Sequence, residues 1–141
     1  MLSNKAKYGL KALIYLAGAE GAVLAADIAQ DNMIPRKFLD TILAELTKAG
    51  FLSSKKGKGG GYQLARPADA IAVGQIVRIF DGPIAPIACA SRGSYRPCAD
   101  CVDVEACAVR HVMTDVRDAM ALILDRTSIA AMRGQRLSIA A

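Results

Sequence analysis

The sequence predicts a mainly α-helical fold with one small β-hairpin: a winged helix-turn-helix followed by a long C-terminal helix. Three observations carry this. The composition is 53% hydrophobic but only 5% aromatic, with no tryptophan, which suits alanine- and leucine-rich helices better than extended sheet. The apolar residues recur three and four apart along most of the 141 residues. Two short β-prone segments are separated by Gly57-Lys58-Gly59-Gly60-Gly61, a run able to take positive φ almost anywhere and so to turn a hairpin.

Ser3 is placed to cap a first helix running to about Ala17, with Ala6, Leu10, Leu13, Ile14 and Ala17 on one face. The stretch near Leu10–Ala19 has some likeness to a secretory leader, but Lys11 interrupts it and helical spacing is the better account. A second short helix fits Ala25–Gln30, and Asp31-Asn32-Met33 makes a turn. Pro35 suits the first position of a third helix, where its missing N–H costs little. That helix, about Pro35–Lys48, divides cleanly. Phe38, Leu39, Ile42, Leu43 and Leu46 fall on one arc, and Arg36, Lys37, Asp40, Thr41, Ala44 and Lys48 on the other. Two short helices, a tight turn and an amphipathic second helix match a helix-turn-helix; a plain solvated surface helix is the alternative.

Phe51–Lys56 reads as a strand and Tyr62–Ala65 as its partner, so a hairpin follows the helix-turn-helix directly, as a wing does. Lys55, Lys56, Lys58 and Arg66 would set cations beside a duplex backbone or minor groove. A nucleotide phosphate loop fails on spacing, because no Gly-Lys-Ser/Thr opens a following helix. Val73–Phe80 forms a fourth helix, ended by Asp81-Gly82-Pro83. A Pro-, Gly- and Ser-rich irregular stretch follows. Asp103 is a candidate cap for a long helix to about Leu124, and Ser128–Met132 adds a short last one. Val109, Val112, Met113, Val116, Met120, Ile123 and Leu124 make a continuous apolar stripe on the long helix, either core or the seam of a homodimer. Little chain remains to cover the stripe, which favours the seam.

Charge separates the chain as sharply as hydropathy does. Residues 1–66 hold ten basic and five acidic side chains, a net +5, while residues 67–141 hold eight of each. Every lysine lies in the first half, which points that half toward a polyanion, double-stranded DNA. No apolar run is long enough for a membrane span, so no membrane partner is expected.

All four cysteines and the one histidine fall between Cys89 and His111. Thiolates gathered at short spacing suit Zn²⁺ or an iron–sulfur cluster, which makes Cys89, Cys98, Cys101 and Cys107 candidate metal ligands. Clustering rather than dispersal also points to a reducing compartment, the cytoplasm. Arg92, Arg96 and Arg110 could balance the thiolate charge, and Cys107 lies near a helix start, where N–H groups stabilise a thiolate. A metal-free thiol–disulfide switch is a further reading, and Cys98-Ala-Asp-Cys101 as an oxidoreductase dithiol is another. No βαβ pattern surrounds that dithiol, and no paired carboxylates, nucleophile elbow or second histidine suggests other catalysis, so the chain is not expected to be an enzyme. Its organisation is then 1–80 for the winged helix-turn-helix, 81–104 for the cysteine loop and 105–141 for the dimerisation helix and tail.

The Gly57-Lys58-Gly59-Gly60-Gly61-Tyr62 wing, followed by Ile71-Ala72-Val73-Gly74-Gln75-Ile76 and the cysteine cluster, resembles the Rrf2 family of bacterial transcription regulators, from about residue 2 to 130. The resemblance implies a dimeric winged-helix regulator, a repressor by preference. In many members a cysteine-ligated [2Fe–2S] or [4Fe–4S] cluster at the base of the long helix senses redox, iron or nitric oxide and changes DNA affinity. It implies DNA contacts from Arg36, Lys37, Asp40 and Thr41 on the recognition helix. It implies others from Lys58 and the adjacent Gly59 and Gly60 on the wing. Cys101 and Cys107 keep the five-residue gap of the family's last two cysteine ligands, and Cys89 and Cys98 are both candidates for the first. The chain departs from the family's iron–sulfur biogenesis regulator in having Arg110 where that protein has a histidine, with His111 one step further on.

Overall fold

The computed structural model describes residues 2–140. Helix α1 (Asn4–Ala17) begins where Ser3 Oγ accepts from the Ala6 N–H at 3.0 Å, and it buries Ala6, Leu10, Leu13 and Leu16 on one side. Helix α2 (Ala25–Asn32) runs two residues past its predicted end, because the Asn32 side chain folds back to donate to the Ile28 carbonyl at 2.8 Å. The turn therefore falls at Met33–Pro35, with Met33 in the left-handed region at φ 55°. Pro35 caps α3 (Arg36–Lys48) instead of starting it, its carbonyl accepting from Leu39 N–H at 2.9 Å. Leu39, Ile42, Leu43 and Leu46 are fully buried, as the arc predicted. Phe38 is the exception: it stands 45% exposed at the edge of that arc, edge-on to Tyr8 of α1 with ring centroids 5.9 Å apart.

Strands β1 (Leu52–Lys55) and β2 (Gly61–Leu64) pair antiparallel, with Leu52 opposite Leu64 and Lys55 opposite Gly61. A lone bridge from Val23 to Tyr62 ties the hairpin to the segment before α2. Close carbonyls explain two glycines. Gly61 holds φ 131°, and a Cβ there would overlap the Val23 carbonyl; a Cβ on Gly60 would overlap the carbonyls of Lys55 and Gly57.

Helix α4 (Val73–Asp81) packs on α1, where Phe80 lies against Gly9 and the Ser3 N–H donates to Asp81 Oδ2 at 3.0 Å. After a single 3-10 turn at Ala88–Ala90 and an irregular loop comes α5 (Ala108–Arg126), then α6 (Ile129–Ala140). The long helix is not capped by Asp103, whose carboxylate instead accepts from the Glu105 and Ala106 N–H groups within the loop. Cys107 is the cap, its Sγ accepting from Arg110 N–H at 3.4 Å. The last helix is also longer than predicted, and it returns to α1, burying Ile129 completely. One core joins Leu13, Ile28, Leu39, Ile42, Leu43, Leu46, Ile71, Ile76 and Ile129, all wholly buried. Each such aliphatic side chain contributes about 1.5–3 kcal/mol by leaving water.

Candidate nucleic-acid interface and cysteine centre

Burying one arc of α3 forces the other outward. Arg36, Lys37, Asp40, Thr41, Ala44 and Lys48 are exposed, and Arg36 Nε donates to Asp40 Oδ1 at 3.0 Å, a pair one turn apart. At the hairpin, Lys55, Lys56, Lys58 and Gly59 are exposed, whereas Gly60 is buried and shapes the turn. Among the described residues, Lys37, Lys48, Lys55, Lys56 and Lys58 take part in no ion pair. Unpaired ammonium groups at a hairpin tip and along a helix face are free to meet phosphates. Arg66 behaves otherwise: it lies over the Phe51 ring at 4.4 Å and donates to the Gly50 carbonyl at 3.2 Å, bracing the base of the wing.

The four cysteines arrive from three pieces of chain. Cys89 is buried in the 3-10 turn, Cys98 and Cys101 share one exposed turn closed by Cys101 N–H to the Cys98 carbonyl at 3.2 Å, and Cys107 caps α5. All four line one cavity of about 460 Å³, together with Ile87, Val102, Val104, Val109 and Arg110. Cys89 and Cys98 come closest, with sulfurs 3.8 Å apart. That is about the edge of a tetrahedron of thiolates bound ~2.3 Å from one metal. The contact pushes the Cys98 thiol up, through its hydrogen bond to Cys89 and then through that neighbour's charge. Among the described residues, no three potential ligands converge on a single point. The sulfurs border a cavity instead.

Of the three arginines expected to balance this charge, only Arg110 lines the cavity; its Nε donates to the Cys89 carbonyl at 3.0 Å. Arg92 turns away to Asp118, and Arg96 is tied by its backbone N–H to the Ala88 carbonyl. His111 is not among the lining residues; its Nε2 lies 2.9 Å from the Glu105 carbonyl oxygen. Sequence reasoning missed the two carboxylates that grip this region from α5. Asp118 holds Arg92 and Arg117, and Asp125 holds Arg78 of α4. The one available signal was Gly74 inside a helix, since a Cβ there would overlap the Asp125 carboxylate.

The sequence pattern of one family, described as Rrf2, iron-dependent transcriptional regulator, matches residues 2–134. The chain belongs to the Rrf2 family. It is 38% identical over 137 residues to a Rrf2-like HTH-type regulator of Rhodobacter capsulatus, covering 94% of this chain and 91% of that one. It is 33% identical over 130 residues to the HTH-type transcriptional regulator CymR of Bacillus subtilis, covering 91% and 86%. The solved structure of CymR, the global cysteine regulator of B. subtilis, superposes with a TM-score of 0.79 at 31% identity, over 96% of this chain and 97% of that one. The structure of IscR from T. potens follows at 0.75 and 28%, covering 96% and 88%. This Rrf2-family chain is therefore a DNA-binding transcriptional regulator and not an enzyme, on the winged-helix fold with a C-terminal helix that the sequence predicted. No described helix is long and apolar enough to cross a membrane.

Proposed function

We propose that this regulator senses through an iron–sulfur cluster held by Cys89, Cys98, Cys101 and Cys107, and that the state of that centre sets its affinity for a duplex operator it represses. The observation that carries the reading is the cavity: four thiols from three chain segments border one space of about 460 Å³. When bound, such a cluster supplies an electron-accepting and oxidatively labile centre. The chain's own residues do the rest. Arg110 places a cation at the cavity wall and donates from Nε to the Cys89 carbonyl, and its backbone N–H donates to Cys107 Sγ at the start of α5.

At the duplex, Arg36, Lys37, Asp40 and Thr41 face base edges, Lys55, Lys56 and Lys58 meet phosphates, and Gly59 and Gly60 let the hairpin backbone approach. The apolar stripe of α5 forms the seam of a homodimer that presents two reading heads, in the cytoplasm.

A second reading is a thiol switch or structural zinc site, favoured by the Cys89–Cys98 contact at 3.8 Å. Anaerobic purification with iron, sulfide and zinc analysis separates the readings. Coloured protein holding iron and acid-labile sulfide is expected, bleached by Cys101→Ala with altered operator affinity and an intact fold. Colourless protein with stoichiometric zinc would replace the sensor by a structural site. Duplex affinity should fall steeply with salt, and Lys58→Ala should reduce the salt slope by about 1 across unrelated sequences.

A further inference from the structure

We infer that Asp118 and Asp125 of α5 are positioning residues that tie the cysteine loop to the reading head through one chain of arginine–aspartate pairs. This rests on the reading of the loop as the sensor.

The chain starts three residues beyond Cys89. Arg92 grips Asp118 with both ends of its fork, Nε to Oδ1 at 3.0 Å and Nη2 to Oδ2 at 2.7 Å. Arg117 adds a third donor to the same carboxylate, Nη1 to Oδ1 at 2.8 Å. Seven residues on, two turns along the same helix face, Asp125 takes a second fork, Arg78 Nη1 at 2.6 Å and Nη2 at 2.9 Å. Arg78 belongs to α4, whose Phe80 and Asp81 hold α1 of the reading head. Arg117 stands between the two carboxylates; its charge acts on Asp125 as well as on Asp118.

Exposed ion pairs taken singly contribute little. Four features set this chain apart. Both forks are bidentate, which fixes direction as well as distance. Arg117 is only 17% exposed, so packing as well as charge holds it. The α4 backbone is cut back to a glycine at residue 74 where Asp125 lies against it. Finally, Arg78, Ile84, Ser91, Arg92 and Arg117 line one cleft of about 380 Å³ between the loop and α4. A loop that reorganises around its cysteines pulls on Arg92; Asp118 passes the pull to α5, and Asp125 passes it to α4.

The test perturbs the loop without needing any cluster. Full-length protein is treated with a chelator and N-ethylmaleimide, which reaches the exposed Cys98 and Cys101, and amide hydrogen exchange is followed across Val73–Asp81. In the wild type, alkylation should speed exchange there by about threefold or more. Asp118→Asn should lose most of that response, with unchanged thiol titration and unchanged helical circular dichroism; Asp118→Glu should keep it. Arg92→Gln should match Asp118→Asn, and the double variant should go no further. An undiminished response in Asp118→Asn, or no response in the wild type, would overturn the inference. Neither outcome depends on whether iron is present, so a failed cluster reading and a failed tie are told apart.

Discussion

In the reading head Leu13, Ile28, Leu39, Ile42, Leu43 and Leu46 are wholly removed from solvent, whereas α5 buries only Ala121 and the loop from Arg92 to Asp103 is exposed throughout. The same chain builds both regions, yet the first is held by an aliphatic core that Ala121 and Ile129 complete, and the second by charge pairs, a thiol cap and a few half-buried side chains. Val109, Val112, Val116, Met120 and Ile123 leave α5 between 38% and 64% exposed, in a stripe that repeats every three or four residues. The difference teaches that the head is packed on aliphatic side chains, while the loop and the outer face of α5 are left open to solvent.

The comparison would break most visibly at Leu43. Leu43→Ala should cost about 2–5 kcal/mol in denaturant unfolding, because the fully buried cavity it leaves is ringed by helix. Cys101→Ala, on the exposed loop, should leave the midpoint of the cluster-free protein where it is. Equal effects from the two changes would mean that the head and loop are not the separate regions described. The next effect belongs to the stripe. Val116→Asp should dissociate the proposed dimer, since an unpaired carboxylate in an apolar seam costs several kcal/mol, and sedimentation would then show a folded monomer. A dimer surviving that change would move the seam elsewhere.

The smallest effect sharpens the electrostatic side. Hydrogen bonds from Arg92 and then Arg117 lower the Asp118 carboxyl to about 2. Because the folded value is depressed, the pairing is present in full above the ordinary carboxylate range and fades as pH falls through about 2. Carbon-13 NMR of the carboxyl should place its midpoint there, and Arg92→Gln should raise it toward the ordinary aspartate value. A midpoint unmoved by Arg92→Gln would show that the fork does not exist in solution.

Caps and ends were the least legible features. An aspartate is the stronger N-cap in general, but α5 starts at Ala108, which leaves Asp103 five residues short of it and puts Cys107 at the cap. The loop spends the Asp103 carboxylate on its own turn and leaves the thiol to cap the helix. Pro35 likewise moved from the first helical position to the cap once Asn32 prolonged α2.

What the sequence determined by itself was everything with a local period or a local composition. The buried arc of α3, the hairpin around Gly57–Gly61, the lysine-rich first half and the gathering of four cysteines near one helix start each follow from side chains a few residues apart. Tertiary structure decided what depends on distant partners. Arg92 meets Asp118 across 26 positions and Arg78 meets Asp125 across 47, Gly60 and Gly61 are required by carbonyls they approach in space, and His111 is turned to a carbonyl while Arg110 takes the cavity wall. Periodicity reports which face of an element is apolar; it carries no term for the other element that face or charge will meet, and only the packed chain supplies it.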